Sequence, residues 1–202
     1  MSVITNPSPQ VLALVPGWPF HPVLKMPPDA VVLDLSVGFP DPPPVWSVGR
    51  YDEVRGIYTQ DLFAGGRNVH MGIDLGGPAG TPVYGFTDGE VVLAGDNTAP
   101  GDYGPTLVVA VRVRGALLYA LYGHLSRASL EESPVGRRFR RGDVLGWLGE
   151  PHENGGWPPH VHLQLSVERP SVPDLPGAVR LEDREEARRR YPDPRLVLGR
   201  VY

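Results

Sequence analysis

The stretch Thr81-Pro-Val-Tyr-Gly-Phe-Thr-Asp-Gly-Glu-Val-Val-Leu-Ala94 decides the fold class. Two short apolar runs, residues 81–86 and 90–94, stand on either side of Asp88-Gly89. Asp-Gly suits a type I′ turn, so the stretch reads as a β-hairpin. The same grammar continues on both sides. Residues 106–113 form a β-branched run, and residues 117–122 follow after the turn Arg114-Gly115. Residues 144–148 and 161–167 are two more short apolar runs. Short strands at this spacing, with turn residues between them, predict a mainly β fold: an antiparallel sandwich or barrel-like hybrid with few short helices.

Composition agrees. The chain has 202 residues with 41% hydrophobic content, and Gly 25 and Pro 24 exceed ordinary usage. Such usage disfavours long helices. Residues 1–50 read as a Pro-rich N-terminal extension with short strands at 11–15 and 30–37, packed on the core, the alternative being a disordered tail, and Pro42-Pro43-Pro44 reads as a stiff spacer. Residues 51–168 carry the regular strand signals and are expected to form the main β domain. Residues 169–202 are a C-terminal extension with one short helix at 182–190, acidic first and basic last, matching the helix dipole.

Net charge is −4 with a pI near 5.8, which argues against a nucleic-acid partner. No apolar run has the length of a membrane-spanning helix, so membrane insertion is not expected. The apolar run 11–15 lacks a preceding basic residue and ends at Pro16, unlike a secretory signal, so a cytoplasmic location is expected, with export by another route as the alternative. There is no cysteine, so any metal must sit on His, Asp or Glu.

The six histidines are 21, 70, 124, 152, 160 and 162, and three local contexts hold four of them. In His70-Met-Gly-Ile-Asp74, glycines and Pro78 oppose a helix, and a straight strand would put the two Cα atoms about 13 Å apart. Both can reach one metal only if the chain bends, and Gly72 is placed to allow it. In His160-Val-His162 the two side chains share a strand face, roughly 6.6 Å apart. One imidazole can bind zinc while the other meets a metal-bound water. In Leu121-Tyr-Gly-His124, the histidine ends an apolar strand at a glycine, a rim position for a side chain aimed into a cleft. Each context alone is also consistent with an ordinary surface or structural histidine. Together, two His and one Asp leave zinc's fourth position open, the catalytic pattern, with two histidines left for proton transfer and oxyanion stabilisation. Imidazole ligands favour zinc over magnesium or calcium.

With these motifs in order, the chain resembles the M23 metallopeptidase family, the lysostaphin or LytM type. The resemblance is carried by His-Met-Gly-Ile-Asp at 70–74, Pro-Ala-Gly-Thr-Pro-Val at 78–83, Asp-Gly-Glu-Val at 88–91, Tyr-Gly-His-Leu-Ser at 122–126, Gly-Asp-Val-Leu-Gly at 142–146 and Pro-His-Val-His-Leu-Gln-Leu at 159–165. It implies the antiparallel β fold of that family with a cleft along one sheet. It implies His70, Asp74 and His162 as zinc ligands and His124 and His160 as catalytic histidines. It also implies a zinc-dependent endopeptidase acting on a peptide or amide-containing substrate, peptidoglycan peptide among them. The alternative is a zinc-holding ligand-binding or regulatory module without peptidase activity.

Leu33-Asp-Leu-Ser, Tyr51-Asp-Glu-Val-Arg, Glu153-Asn-Gly-Gly-Trp-Pro-Pro-His and Pro192-Asp-Pro-Arg-Leu-Val-Leu-Gly are similar to M23-type domains fused to kinase and aminotransferase modules. Asn154-Gly-Gly-Trp157 is bulkier than the turn of many cell-wall members, and Trp157 is a residue that can narrow or line the cleft. Glu150 and Glu168 are candidate partners for a ligand histidine. Arg137, Arg138, Arg140 and Arg141 form a basic cluster that reads as a solvated loop or as a grip on an anionic substrate.

Overall fold

A computed structural model describes residues 20–202. The run at 11–15 lies outside the described residues. Among the described residues there are twelve strands: β1 Val31–Val32, β2 Ser47–Gly49, β3 Arg67–His70, β4 Ile73–Gly76, β5 Pro82–Tyr84, β6 Gly89–Asn97, β7 Gly104–Val113, β8 Ala116–Gly123, β9 Arg138–Phe139, β10 Val144–Trp147, β11 His160–Ser166 and β12 Ala178–Arg180. Three short helices join them: α1 Arg127–Glu132, α2 Arg184–Arg190 and α3 Arg195–Leu198. The fold is mainly β, as expected, and its main sheet is not closed into a barrel. That sheet has the order β1-β2-β4-β11-β8-β7-β6-β9, and among the described strands β1 and β2 alone pair in parallel.

Period-two alternation builds two cores on the two faces of this sheet. Leu107, Val109 and Val111 of β7, Leu118, Ala120 and Tyr122 of β8, and Val161, Leu163 and Leu165 of β11 point one way. They pack with Val83 and Leu145 from the small β5–β10 sheet. On the other face, Val108, Tyr119 and Leu121 pack with Val69 and Val179 of the β3–β12 sheet and with Ala187 of α2. A strand whose odd residues fill the first core must turn its even residues to the opposite side. For β11 those are His160, His162, Gln164 and Ser166.

The turn Arg114-Gly115 joins β7 to β8 with positive φ at both residues, as a type I′ hairpin requires. The Asp88-Gly89 hairpin is a correction. Both flanking runs contain strands, but β5 pairs with β10, and β6 pairs with β7 and β9. Neither Asp88 nor Gly89 has the positive φ of a type I′ turn. Gly89 is needed for another reason: a Cβ there would lie 2.6 Å from the Phe139 ring and 2.8 Å from the Ala110 carbonyl oxygen. Its lack of a side chain lets β7 and Phe139 approach.

The run at 30–37 is also shorter than expected. It is extended only at Val31–Val32, because the Asp34 carboxylate accepts from the backbone N–H of Ser36 (3.1 Å) and from its hydroxyl, which turns the chain. The helix at 182–190 begins as a 3-10 turn over Leu181–Asp183 and becomes α-helical from Arg184.

Candidate metal centre and its histidine pair

Sheet register assembles the site. On β11, His162 stands opposite Asp74 of β4 and opposite Gly123 of β8, the residue before His124. His70 arrives from elsewhere. It ends β3, which belongs to the β3–β12 sheet, and the chain changes sheets at Met71-Gly72 before β4 starts. This is the bend that a shared His70–Asp74 site demands. A Cβ on Gly72 would lie 2.5 Å from His162 Nε2 and 2.9 Å from the Leu163 carbonyl oxygen, so only glycine lets the chain cross beneath the imidazole.

Three ligand-type atoms converge there. His162 Nδ1 is 2.9 Å from Asp74 Oδ1, His70 Nε2 is 3.0 Å from His162 Nδ1, and His70 Nε2 is 3.2 Å from Asp74 Oδ1. All three residues are buried. The N–H groups of the two imidazoles have partners pointing outward. His70 Nδ1 is 2.8 Å from the Arg50 carbonyl oxygen, which can only accept, so Nδ1 donates and Nε2 keeps its lone pair. Gln164 Nε2 donates to the Pro176 carbonyl, which turns Oε1 toward His162 Nε2 at 3.1 Å. His162 therefore donates through Nε2 and presents a lone pair at Nδ1. Two imidazole lone pairs and a carboxylate oxygen meeting at about 3 Å repel one another unless a cation or shared proton lies among them. Ligands about 2 Å from a tetrahedral metal are about 3.3 Å apart, so the spacing fits a divalent ion. His70, Asp74 and His162 could hold such an ion.

The chain beyond the motifs braces these ligands. Arg55 Nη1 lies 2.7 Å from Asp74 Oδ2, and Arg55 is itself held by Glu53 (3.3 Å) and the Tyr58 hydroxyl (3.0 Å). Asp74 thus gives one oxygen to the imidazoles and the other to a guanidinium. Burial would raise its carboxyl, but His70, Arg55 and the close imidazole contacts hold it well below the usual carboxylate range. Burial, then the Arg55 charge, bring His70 down to about 4. Asp52 donates its N–H to the His70 carbonyl (2.7 Å), while its carboxylate accepts from Arg184 of α2 at 2.7 and 3.0 Å. Helix α2 therefore steadies the turn that orients His70.

His124 and His160 stand beside this centre with ring centroids 4.2 Å apart. His124 donates from Nδ1 to the Asn154 carbonyl (2.8 Å), and His160 from Nδ1 to the Pro158 carbonyl (2.7 Å). Both present a lone pair at Nε2, and His160 Nε2 is 3.9 Å from Asp74 Oδ1. Burial, then the neighbouring His160, lower the pKa of His124 well below the ordinary imidazole value. Burial also lowers that of His160. His124 has φ +61, a conformation that is costly for a side-chain-bearing residue and that clusters at functional sites. It is held by its N–H to the Tyr103 carbonyl (2.7 Å) and its carbonyl to Gly149 N–H (3.0 Å).

All five expected site residues are thus in one place and line one cavity. The family model described as peptidase family M23 matches residues 68–173. The chain belongs to peptidase family M23. Among its relatives, the DD-carboxypeptidase/endopeptidase Mpg of Neisseria meningitidis is 36% identical over 100 residues, 49% of this chain and 20% of that protein. The glycyl-glycine endopeptidase ALE-1 of Staphylococcus capitis is 30% identical over 117 residues, 58% of this chain and 30% of that protein. The chain thus spans about a fifth to a third of the length of these relatives. Among solved structures, lysostaphin from Staphylococcus simulans is 19% identical with a TM-score of 0.48, covering 78% of this chain and 53% of that one.

The expected helpers Glu150 and Glu168 are not at the site. Glu150 is exposed, and Glu168 pairs with Arg190 at 2.8 Å. Their place is taken by Gln164 and by the carbonyls of Arg50, Asn154 and Pro158. Gln164 was open to a sequence reading, since it lies two residues beyond His162 on the same strand face. Arg55 ends the quoted stretch Tyr51-Asp-Glu-Val-Arg, but nothing in the sequence pairs it with Asp74, because that contact spans the change of sheet. His152 is exposed. Of the basic cluster, Arg138 pairs with Glu90 (3.2 Å) on the surface, and Arg137 bonds the Glu132 carbonyl (3.2 Å).

Proposed function

We propose that this chain is a zinc-dependent peptidase in which His70, Asp74 and His162 hold the metal and His124 and His160 are the catalytic histidines. One observation carries the reading. Three lone-pair donors converge at 2.9–3.2 Å with their N–H groups committed outward, beside two imidazoles with free Nε2 atoms in the same cavity. When bound, zinc supplies Lewis acidity toward a carbonyl and makes water a nucleophile near neutral pH.

The remaining steps belong to the chain. The lowered pKa values leave both catalytic imidazoles neutral at pH 7, so each can accept a proton at Nε2. With rings 4.2 Å apart, protonating one disfavours protonating the other, and the pair carries one proton at a time. One imidazole takes the proton from the attacking water. Once charged, it donates to the oxyanion or to the leaving amine. The carbonyls of Asn154 and Pro158 hold both Nδ1–H groups, so the rings need not reorient. Peptide amides are the substrate class proposed, with peptidoglycan peptides among them, since relatives named as endopeptidases are 36% and 30% identical to this chain over 100 and 117 residues.

The test is to load the purified chain with zinc and incubate it with a library of peptides and muropeptides read by mass spectrometry. Cleavage that stops with a chelator and returns with zinc is expected. A fully zinc-loaded chain that cleaves nothing would sink the peptidase reading and leave a zinc-holding module.

A further inference from the structure

The residues just before the family-matched segment form a wall of the site. A cavity of about 750 Å3 runs from the histidine centre to Leu33, Leu35, Phe39, Tyr58, Phe63 and Trp157. Five of these six come from residues 33–63, outside the matched region. The wall is an organised aromatic cluster. Tyr58 and Phe63 stack at 4.1 Å with planes 13° apart. Trp157 meets them edge-on at 6.3 and 6.4 Å, and Phe39 lies 6.4 Å from Trp157. Trp157 is pinned by its indole N–H to the Gly101 carbonyl (3.1 Å) and by its backbone N–H and carbonyl to the Asn154 side chain.

This wall adjoins the chemistry. The Tyr58 hydroxyl accepts from Arg55 Nη1, and that same nitrogen contacts Asp74 Oδ2 at 2.7 Å. The aromatic surface therefore begins two polar contacts from a proposed metal ligand. A cavity of this volume suits a ligand the size of a short peptide. Glycine would leave the aromatic wall wet, whereas a large apolar side chain would cover it and gain the corresponding transfer energy.

We propose that this wall is a specificity subsite. It takes a large apolar or aromatic side chain on the residue next to the scissile amide and discriminates against glycine there. The proposal rests on the peptidase reading for the word "scissile", but the recognition itself needs no turnover. The test therefore begins with binding. N-acetyl-phenylalaninamide, in L and D forms, and N-acetyl-glycinamide are titrated into the zinc-loaded full chain by ligand-observed NMR. The better phenylalanine form should bind about 10- to 100-fold more tightly than the glycine probe. Phe63→Ala and, separately, Phe39→Ala should shrink that gap at least about threefold. Phe63 is only partly buried and Phe39 is 42% exposed, so neither change removes core.

Equal binding of the two probes overturns the subsite, as does a preference unchanged in both variants. Cleavage assays then separate this proposal from the reading beneath it. Peptides cut equally well with glycine or phenylalanine beside the bond overturn the subsite and leave the peptidase intact. Selective binding of phenylalanine without cleavage of any peptide supports the apolar recognition and sinks the peptidase.

Discussion

Replacing Gly72 by alanine tests the geometry of the centre with one methyl group. Gly72 does not have a positive φ, so backbone conformation is no obstacle to a side chain. The obstacle is His162. The new Cβ would lie 2.5 Å from Nε2, overlap Cε1 and come within 2.9 Å of the Leu163 carbonyl oxygen. Ordinary contacts between such atoms are about 3.5–4.0 Å, so the ring or the chain must retreat by about 1 Å. Metal sites tolerate about 0.2 Å in ligand distance. The displacement also pulls Nε2 away from Gln164 Oε1, which fixes the tautomer that points the Nδ1 lone pair inward. Loss of such outer support costs about 10–100-fold in metal affinity, and here the ligand itself moves, so a loss of at least that size is expected. Overpacking costs about 1–3 kcal/mol, which leaves a domain of ordinary stability folded. The assay is zinc affinity by competition with a chromophoric chelator, with circular dichroism and thermal melting to show that the fold survives. A folded Gly72→Ala chain that binds zinc within about twofold of the wild type would refute the placement of His162 as a ligand over Gly72.

His70→Ala or His162→Ala should lose most bound zinc by elemental analysis, whereas His124→Ala and His160→Ala should keep it and lose about 10²-fold or more in turnover. Asn154 is fully buried, and its side chain serves Gly149, Gly156 and Trp157 while its carbonyl orients His124. Asn154→Ala should cost about 1–3 kcal/mol in denaturant unfolding and lower turnover while zinc content stays unchanged. Burial raises the half-buried Asp102 carboxyl, outweighing its bond from Tyr103 N–H and the Arg67 charge. The native state then holds that proton more tightly than the unfolded chain, so stability is lost as pH rises from about 4 through the raised folded value. Asp102→Asn keeps the acceptor for Tyr103 and should match the wild type near pH 3 and exceed it at pH 7. Solvent screening keeps the gain below about 1 kcal/mol, or ~2–4 °C in melting temperature, measured by melts across that range.

Which residues gather at the candidate site was legible in the sequence, from short local motifs and the family pattern they compose. His160, His162 and Gln164 share a face by the period of a strand, and Val161, Leu163 and Leu165 opposite them drive that face away from the core. A glycine between His70 and Asp74 marked a required bend, and Arg114-Gly115 marked a real type I′ turn. Strand pairing was not legible to the same degree. The runs around Asp88-Gly89 each contain a strand, yet β5 took β10 as its partner, some 60 residues away, and Gly89 serves the approach of Phe139 and β7. Local propensity says that a segment is extended, but the choice of partner depends on which faces must be buried together. The same limit hid the pairing of Arg55 with Asp74, the carbonyls of Arg50 and Asn154, and the partners of Trp157 in the aromatic wall. Each acts through contacts between segments distant in the chain, and a backbone carbonyl has no residue type to read. Residue chemistry and strand period therefore determined which side chains are suited to the centre and which face of a strand they share, while strand pairing and packing decided that they meet, how their tautomers are set, what braces them and what shape of cavity they face.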